Sequence, residues 1–142
     1  MNATRVFFAM AAALAVGLSY GVVRAQSKTV WDGVYSDAQA KRGEALFGDK
    51  CAMCHGADLS GGDAPSLVGS EFSGNWDDLS LGDLAERIRV SMPQDNPQSL
   101  TRDQVADLIT LILKRNNVPA GQADLPASAD SLKAIKYKAN KP

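Results

Sequence analysis

Two thiols and one imidazole stand within five residues, in the run Cys51-Ala52-Met53-Cys54-His55, and they are the only cysteines and the only histidine of the chain. Thiols at this spacing can add across the two vinyl groups of a haem to form thioethers. The residue that follows is then held against the iron with an imidazole nitrogen to offer. Other chemistries suit the run less well. A disulfide across so short a gap closes a tiny loop and stabilises little. A thioredoxin-like redox pair follows a strand in a βαβ unit, whereas a helical pattern precedes this pair. A structural zinc site takes about four ligands, and here there are three. The reading is one covalently attached haem c, with Cys51 and Cys54 as its anchors and His55 as an axial ligand of the iron.

The second axial ligand is found by elimination. A bis-histidine iron is excluded within one chain, and methionine is the usual alternative. Of the four methionines, Met1 and Met10 fall in a leader segment, and Met53 lies inside the attachment run, too close to reach the opposite face. Met92 remains. Pro93 disfavours helical geometry at the residue before it, so it ends a helix there and leaves Met92 extended, able to aim a thioether inward. The imidazole also needs its other nitrogen bonded if it is to point at the iron. A backbone carbonyl at Pro65, in Ala64-Pro65-Ser66-Leu67, is a candidate partner. Leu67 and Pro93 are expected beside the pocket.

The elements that must place these residues are mostly helical. Ser36-Asp37-Ala38-Gln39 reads as a capping box opening a helix over about 37–49, with Ala40, Gly43 and Phe47 on one face. Ser80 to Asp83 is a weaker capping signal for a helix over about 81–90. Thr101 to Gln104 is another box, opening a helix over about 102–115 whose Val105, Leu108, Ile109, Ile112 and Leu113 follow helical spacing. Residues 56–80 are rich in Gly, Ser, Asp and Pro and read as loop, with Leu59, Leu67, Val68, Phe72 and Trp76 as apolar anchors. No stretch alternates convincingly at a strand's period. Trp31, Tyr35 and Trp76 read as ordinary packing. The expectation is an all-α domain with long loops that wrap a ligand.

The N-terminus reads as an export signal. Arg5 precedes the apolar run Val6 to Leu18, and Val23-Arg24-Ala25 matches a small-residue cleavage site, so cleavage is expected after Ala25 and the protein in the periplasm. A retained membrane anchor is the rival, and association with a membrane is expected only in that case. The organisation is then a signal peptide over 1–25, a lead-in over 26–35, a haem domain over 36–116 and a tail over 117–142. Without Arg5 and Arg24 the chain keeps 13 basic against 16 acidic residues, a net −3 that offers no basic face for nucleic acid. The tail carries Lys133, Lys136, Lys138 and Lys141, and is read as solvated and partly extended, lying back on its acidic domain with Leu132, Ile135 and Tyr137 as anchors.

Across residues 36–116 the pattern resembles the class I cytochromes c. In that family a glycine and an aromatic four residues later on the first helix cross the last helix, places held here by Gly43 and Phe47. The family's haem motif is Cys51, Cys54 and His55. Its proline whose carbonyl accepts from the proximal imidazole is similar to Pro65, and its distal methionine followed by proline to Met92-Pro93. The resemblance implies a class I cytochrome c fold and a one-electron carrier rather than an enzyme. VWDGVY, SMPQDNP and NNVPAG resemble a narrower bacterial group that often passes electrons from periplasmic dehydrogenases, quinoprotein alcohol dehydrogenases among them. The partners so implied are a periplasmic dehydrogenase or a terminal oxidase, either with a free carrier or with this chain as a cytochrome subunit of the complex. A haem sensor or peroxidase-like protein is the remaining alternative. The lysine ring of mitochondrial-type relatives is missing from this acidic domain, so their docking mode is not carried over.

Overall fold

The computed structural model of the chain describes residues 28–142; the expected export signal lies outside the described residues. Among the described residues the elements run β1 (Lys28–Thr29), a 3-10 turn (Val30–Asp32), α1 (Asp37–Lys50), α2 (Ala52–His55), α3 (Gly69–Trp76), α4 (Leu81–Ser91), α5 (Arg102–Arg115), α6 (Ala129–Lys133) and β2 (Ile135–Lys136). The three helices expected from the sequence are present within a residue of their bounds. Ser80 and Thr101 form full capping boxes with Asp83 and Gln104. Ser36 caps α1 but forms no box, because Gln39 faces the interior instead.

α1 and α5 form the principal helix pair, and Gly43 sets how closely they cross. A methyl group on Gly43 would lie 2.0 Å from the Asp107 carbonyl oxygen, so a residue with a side chain cannot stand there without moving one helix. Phe47, one turn on, is buried in the same seam. α5 is more enclosed than its apolar stripe implies: Ala106, Thr110 and Leu111 are buried as well as the five residues of the stripe. Thr110 tolerates this because its hydroxyl donates to the Asp107 carbonyl at 2.7 Å. α5 is therefore the axis of the core rather than one wall of it.

Two parts of the chain are more ordered than their composition suggests. The segment read as loop over 56–80 contains α3, although Gly69, Ser70, Ser73, Gly74 and Asn75 are poor helix formers. Packing supplies what propensity lacks. Phe72 is buried, with its ring centroid 6.1 Å from that of Trp76 and 5.4 Å from that of Tyr137, the latter edge-on.

The tail lies back on the domain with Leu132, Ile135 and Tyr137 buried, as expected, but it is an ordered strap rather than a solvated extension. Val118, Leu125, Leu132, Ile135 and Tyr137 are all buried. β2 pairs in parallel with β1, Lys28 opposite Ile135 and Thr29 opposite Lys136. Trp31 Nε1 donates to the Lys138 carbonyl at 2.9 Å, and the Tyr35 hydroxyl to the Val118 carbonyl at 2.6 Å. Gln39, buried, exchanges two hydrogen bonds with the Leu125 peptide, 3.1 Å to its oxygen and 2.6 Å from its N–H. Gly121 passes so close to Gly33 that a Cβ on it would lie 2.0 Å from the Gly33 oxygen. The lead-in and the tail, at opposite ends of the described chain, thus hold each other on one side of the α1–α5 pair.

Candidate haem site

α2 is a single turn that begins where α1 ends. The Cys51 carbonyl accepts from the N–H groups of both Cys54 (3.2 Å) and His55 (3.0 Å). Residues one turn apart share a side of a helix, so Cys51, Cys54 and His55 face one way. Met53 points the other way and is 88% exposed.

His55 is buried, and its Nδ1 lies 2.8 Å from the Pro65 carbonyl oxygen. As a neutral imidazole donating from Nδ1, it keeps the lone pair of Nε2 for another partner. Among the described residues no buried side-chain nitrogen or oxygen is unpaired, and Nε2 has no hydrogen bond, so Nε2 faces accessible space. Pro65 itself is exposed; only its carbonyl turns inward. The loop that carries it is fixed to α2 by Gly61 N–H to the His55 carbonyl (2.9 Å) and Ala64 N–H to the Cys54 carbonyl (3.0 Å).

Cys51 and Cys54 are both half-buried and unpaired. Burial, with a smaller contribution from Cys54, pushes the Cys51 thiol up to about 11. Among the described residues, no group of three or more His, Cys, Asp or Glu is arranged to hold a bare metal ion, which sets the zinc reading aside. Cys51, Ala52, Leu67, Val68, Trp76 and Met92 are each half-buried against the core, as are Trp31, Leu46, Ala85 and Ala120. These observations fit a covalently held haem.

Met92 follows the last residue of α4 with extended backbone (φ −123°, ψ 148°), its N–H donating to the Ile88 carbonyl at 2.9 Å. Pro93 is buried. Leu67 is positioned by a residue that the sequence reading passed over. The Asn116 amide, just past α5, donates to the Leu67 carbonyl (2.9 Å) and the Ile112 carbonyl (2.8 Å), and its oxygen accepts from Gly69 N–H (3.0 Å). An asparagine after a helix is an ordinary cap, and only the fold reveals that it also brackets the segment leading from Pro65 into α3. Trp31 and Tyr35, in the lead-in, hydrogen-bond to the strap, and Trp31 and Trp76 are both half-buried against the core.

The fold and this constellation define a class I c-type cytochrome. Residues 38–112 match the family described as cytochrome c oxidase, cbb3-type, subunit III, more than half of the chain, and the chain belongs to that family. Cytochrome c-551 of Bacillus subtilis (strain 168) is 34% identical over 62 residues, 44% of this chain; the match spans about half of that relative, 54% of its length. A chain in the crystal structure of the sulfane dehydrogenase SoxCD from Paracoccus pantotrophus shares the fold, with a TM-score of 0.54 at 20% identity over 85% of this chain and 68% of that one. Cytochromes of this family carry a covalently attached haem c and transfer electrons without being enzymes themselves.

Proposed function

We propose that this chain is an exported one-electron carrier whose single haem is anchored by Cys51 and Cys54 and closed by His55 and Met92. The observation that carries the reading is the state of His55: Nδ1 engaged by the Pro65 carbonyl, Nε2 free, and both thiols on the same side of the turn. A bound haem would supply an iron able to take up and release one electron, and His55 and Met92 would hold it. The rest is done by the protein. Pro65 fixes the tautomer and direction of the imidazole, α4 and Pro93 present the Met92 thioether, and Leu67, Val68 and Trp76 keep water away. A haem held by both His55 and Met92 would suit a carrier rather than a sensor or peroxidase.

A second reading, a cytochrome subunit held within a dehydrogenase or oxidase complex, is favoured by the printed names of the matches, an oxidase subunit and a dehydrogenase. Co-purification with a larger catalytic chain supports the subunit, and recovery as a free haem protein supports the carrier. Periplasmic fractionation tests the export. The attachment is tested on a denaturing gel: haem stain travels with the chain, and is lost when Cys51→Ala and Cys54→Ala are combined. Stain lost from the unaltered chain on denaturation contradicts the reading.

A further inference from the structure

Met92 follows directly on α4, yet the contacts that seat the start of α4 come from the far end of the chain. The turn that joins α3 to α4, residues 77–80, is engaged group by group by the tail. Asp78 N–H donates to the Tyr137 carbonyl at 3.0 Å, and Tyr137 N–H donates to the Leu79 carbonyl at 2.8 Å. Lys136 Nζ donates to the Asp78 carbonyl at 3.0 Å, Lys138 Nζ pairs with the Asp78 carboxylate, and Ala139 N–H donates to the Asp77 carboxylate at 2.9 Å. Asp78 stands in the left-handed region at φ 66°, a conformation that a residue other than glycine keeps where its surroundings enforce it. Ser80, which caps α4, bridges to Lys136. Two residues further, a methyl group on Gly82 would lie 2.6 Å from Lys133 Cγ and 3.0 Å from the Lys133 nitrogen, so α6 rests directly on the α4 backbone. Behind the turn the buried Tyr137 ring meets Phe72 edge-on, and its hydroxyl lies 3.0 Å from that of Ser73.

We infer that the last part of the tail, residues 132–139, is a clamp on α4 that keeps Met92 closed on the iron, with Gly82 and Tyr137 as its positioning residues. The inference rests on the His55 and Met92 reading and adds what holds that site shut. α4 is one unbroken helix from Leu81 to Ser91, so a tilt permitted at its start is a displacement of the thioether just past its end. The earlier part of the tail has a different hold. Its Val118 and Leu125 peptides bond to Tyr35 and Gln39, on the lead-in and α1. The two parts can therefore be loosened separately, and only the later one should be felt at Met92.

The test is a titration of the full haem-loaded chain, ferric, with imidazole, followed in the visible spectrum beside the melting temperature of each variant. Added imidazole reaches the iron only in molecules whose Met92 is detached, so the apparent affinity scales with the open fraction. Gly82→Val drives a side chain into Lys133, and Tyr137→Leu gives up the Phe72 edge and the Ser73 hydroxyl. Each should bind imidazole roughly tenfold more tightly than the unaltered protein, as an open fraction raised in that proportion requires. Gln39→Ala and Tyr35→Phe loosen the tail at Leu125 and Val118, and should stay within about twofold even where they melt lower. If Gly82→Val fails to take up haem, Tyr137→Leu decides. An affinity that simply follows the melting temperature through both pairs, or one left unchanged by a folded Gly82→Val or Tyr137→Leu, overturns the clamp. Met92→Ala keeps this failure apart from the other. An unaltered protein that binds imidazole as tightly as Met92→Ala has no closure for the tail to hold, and the His55 and Met92 reading falls. One that binds clearly more weakly than Met92→Ala, yet ignores the substitutions at Gly82 and Tyr137, has a closed iron that the tail does not clamp.

Discussion

The direction of one imidazole is set by one carbonyl. His55 is buried with Nδ1 against Pro65, and that contact leaves Nε2 as the free nitrogen. The chemistry-bearing residues were legible in the sequence because so few existed: two cysteines, one histidine and one methionine before a proline. Gln39 was not legible. Its spacing from Ser36 suggests a capping box, but a buried amide is better satisfied by both groups of a peptide, and Leu125 supplies them from 86 residues away. Gln39→Ala should lower unfolding stability by about 2–3 kcal/mol in denaturant titration, since it leaves two buried backbone groups unpaired. Tyr35 gives a pH signature. Burial, then the nearby Asp37 charge, raises its hydroxyl from 10.0 to about 12. The folded state therefore holds a proton that the unfolded state releases first, and stability from this residue, complete below pH 10, is lost as pH rises from about 10 through about 12. Tyr35→Phe should melt with a shallower decline across that window.

At the scale of elements, caps and apolar spacing made α1, α4 and α5 readable, because each carries its own start signal and its own buried face. α3 and the strap carried neither. α3 has poor formers held by Phe72 and Trp76, and the strap's buried residues are spread from Val118 to Tyr137 with no period to read. Gly43 shows the reverse case, a residue whose reason is legible only through the family pattern and becomes physical at the crossing. Gly43→Ala places a methyl 2.0 Å from a backbone oxygen. It should cost about 2–4 kcal/mol, as overpacking at a backbone contact does, measurable by thermal or denaturant unfolding. Asn116→Ala removes two hydrogen bonds that hold the Leu67–Gly69 segment and a third to the Ile112 carbonyl of α5. It should destabilise by about 2–3 kcal/mol. It should also admit water at Leu67 and shift the midpoint potential in redox titration, whereas a purely structural cap would change stability alone.

For the whole molecule, the fold is a core organised on α5, with the tail strapped to the lead-in and the anchoring turn following directly on α1. The strapped side is closed by hydrogen bonds between distant parts of the chain, and no described helix is long and apolar enough to cross a membrane. Leu67, Val68, Trp76 and Met92 are half-buried against the core, and a covalently held haem that covered them would link holding the haem to holding the fold. The chain lacking both thiols should therefore melt lower by several degrees at least, each kcal/mol lost being worth about 4–8 °C in a domain near this size. The central claim, an iron closed by His55 and Met92, is tested most directly by the visible spectrum of the haem-loaded protein and its Met92→Ala variant. The account predicts a long-wavelength sulfur-to-iron charge-transfer band in the ferric protein that vanishes in the variant, with carbon monoxide binding the ferrous iron of the variant only. A band that survives Met92→Ala, or ready carbon monoxide binding by the unaltered protein, would contradict it.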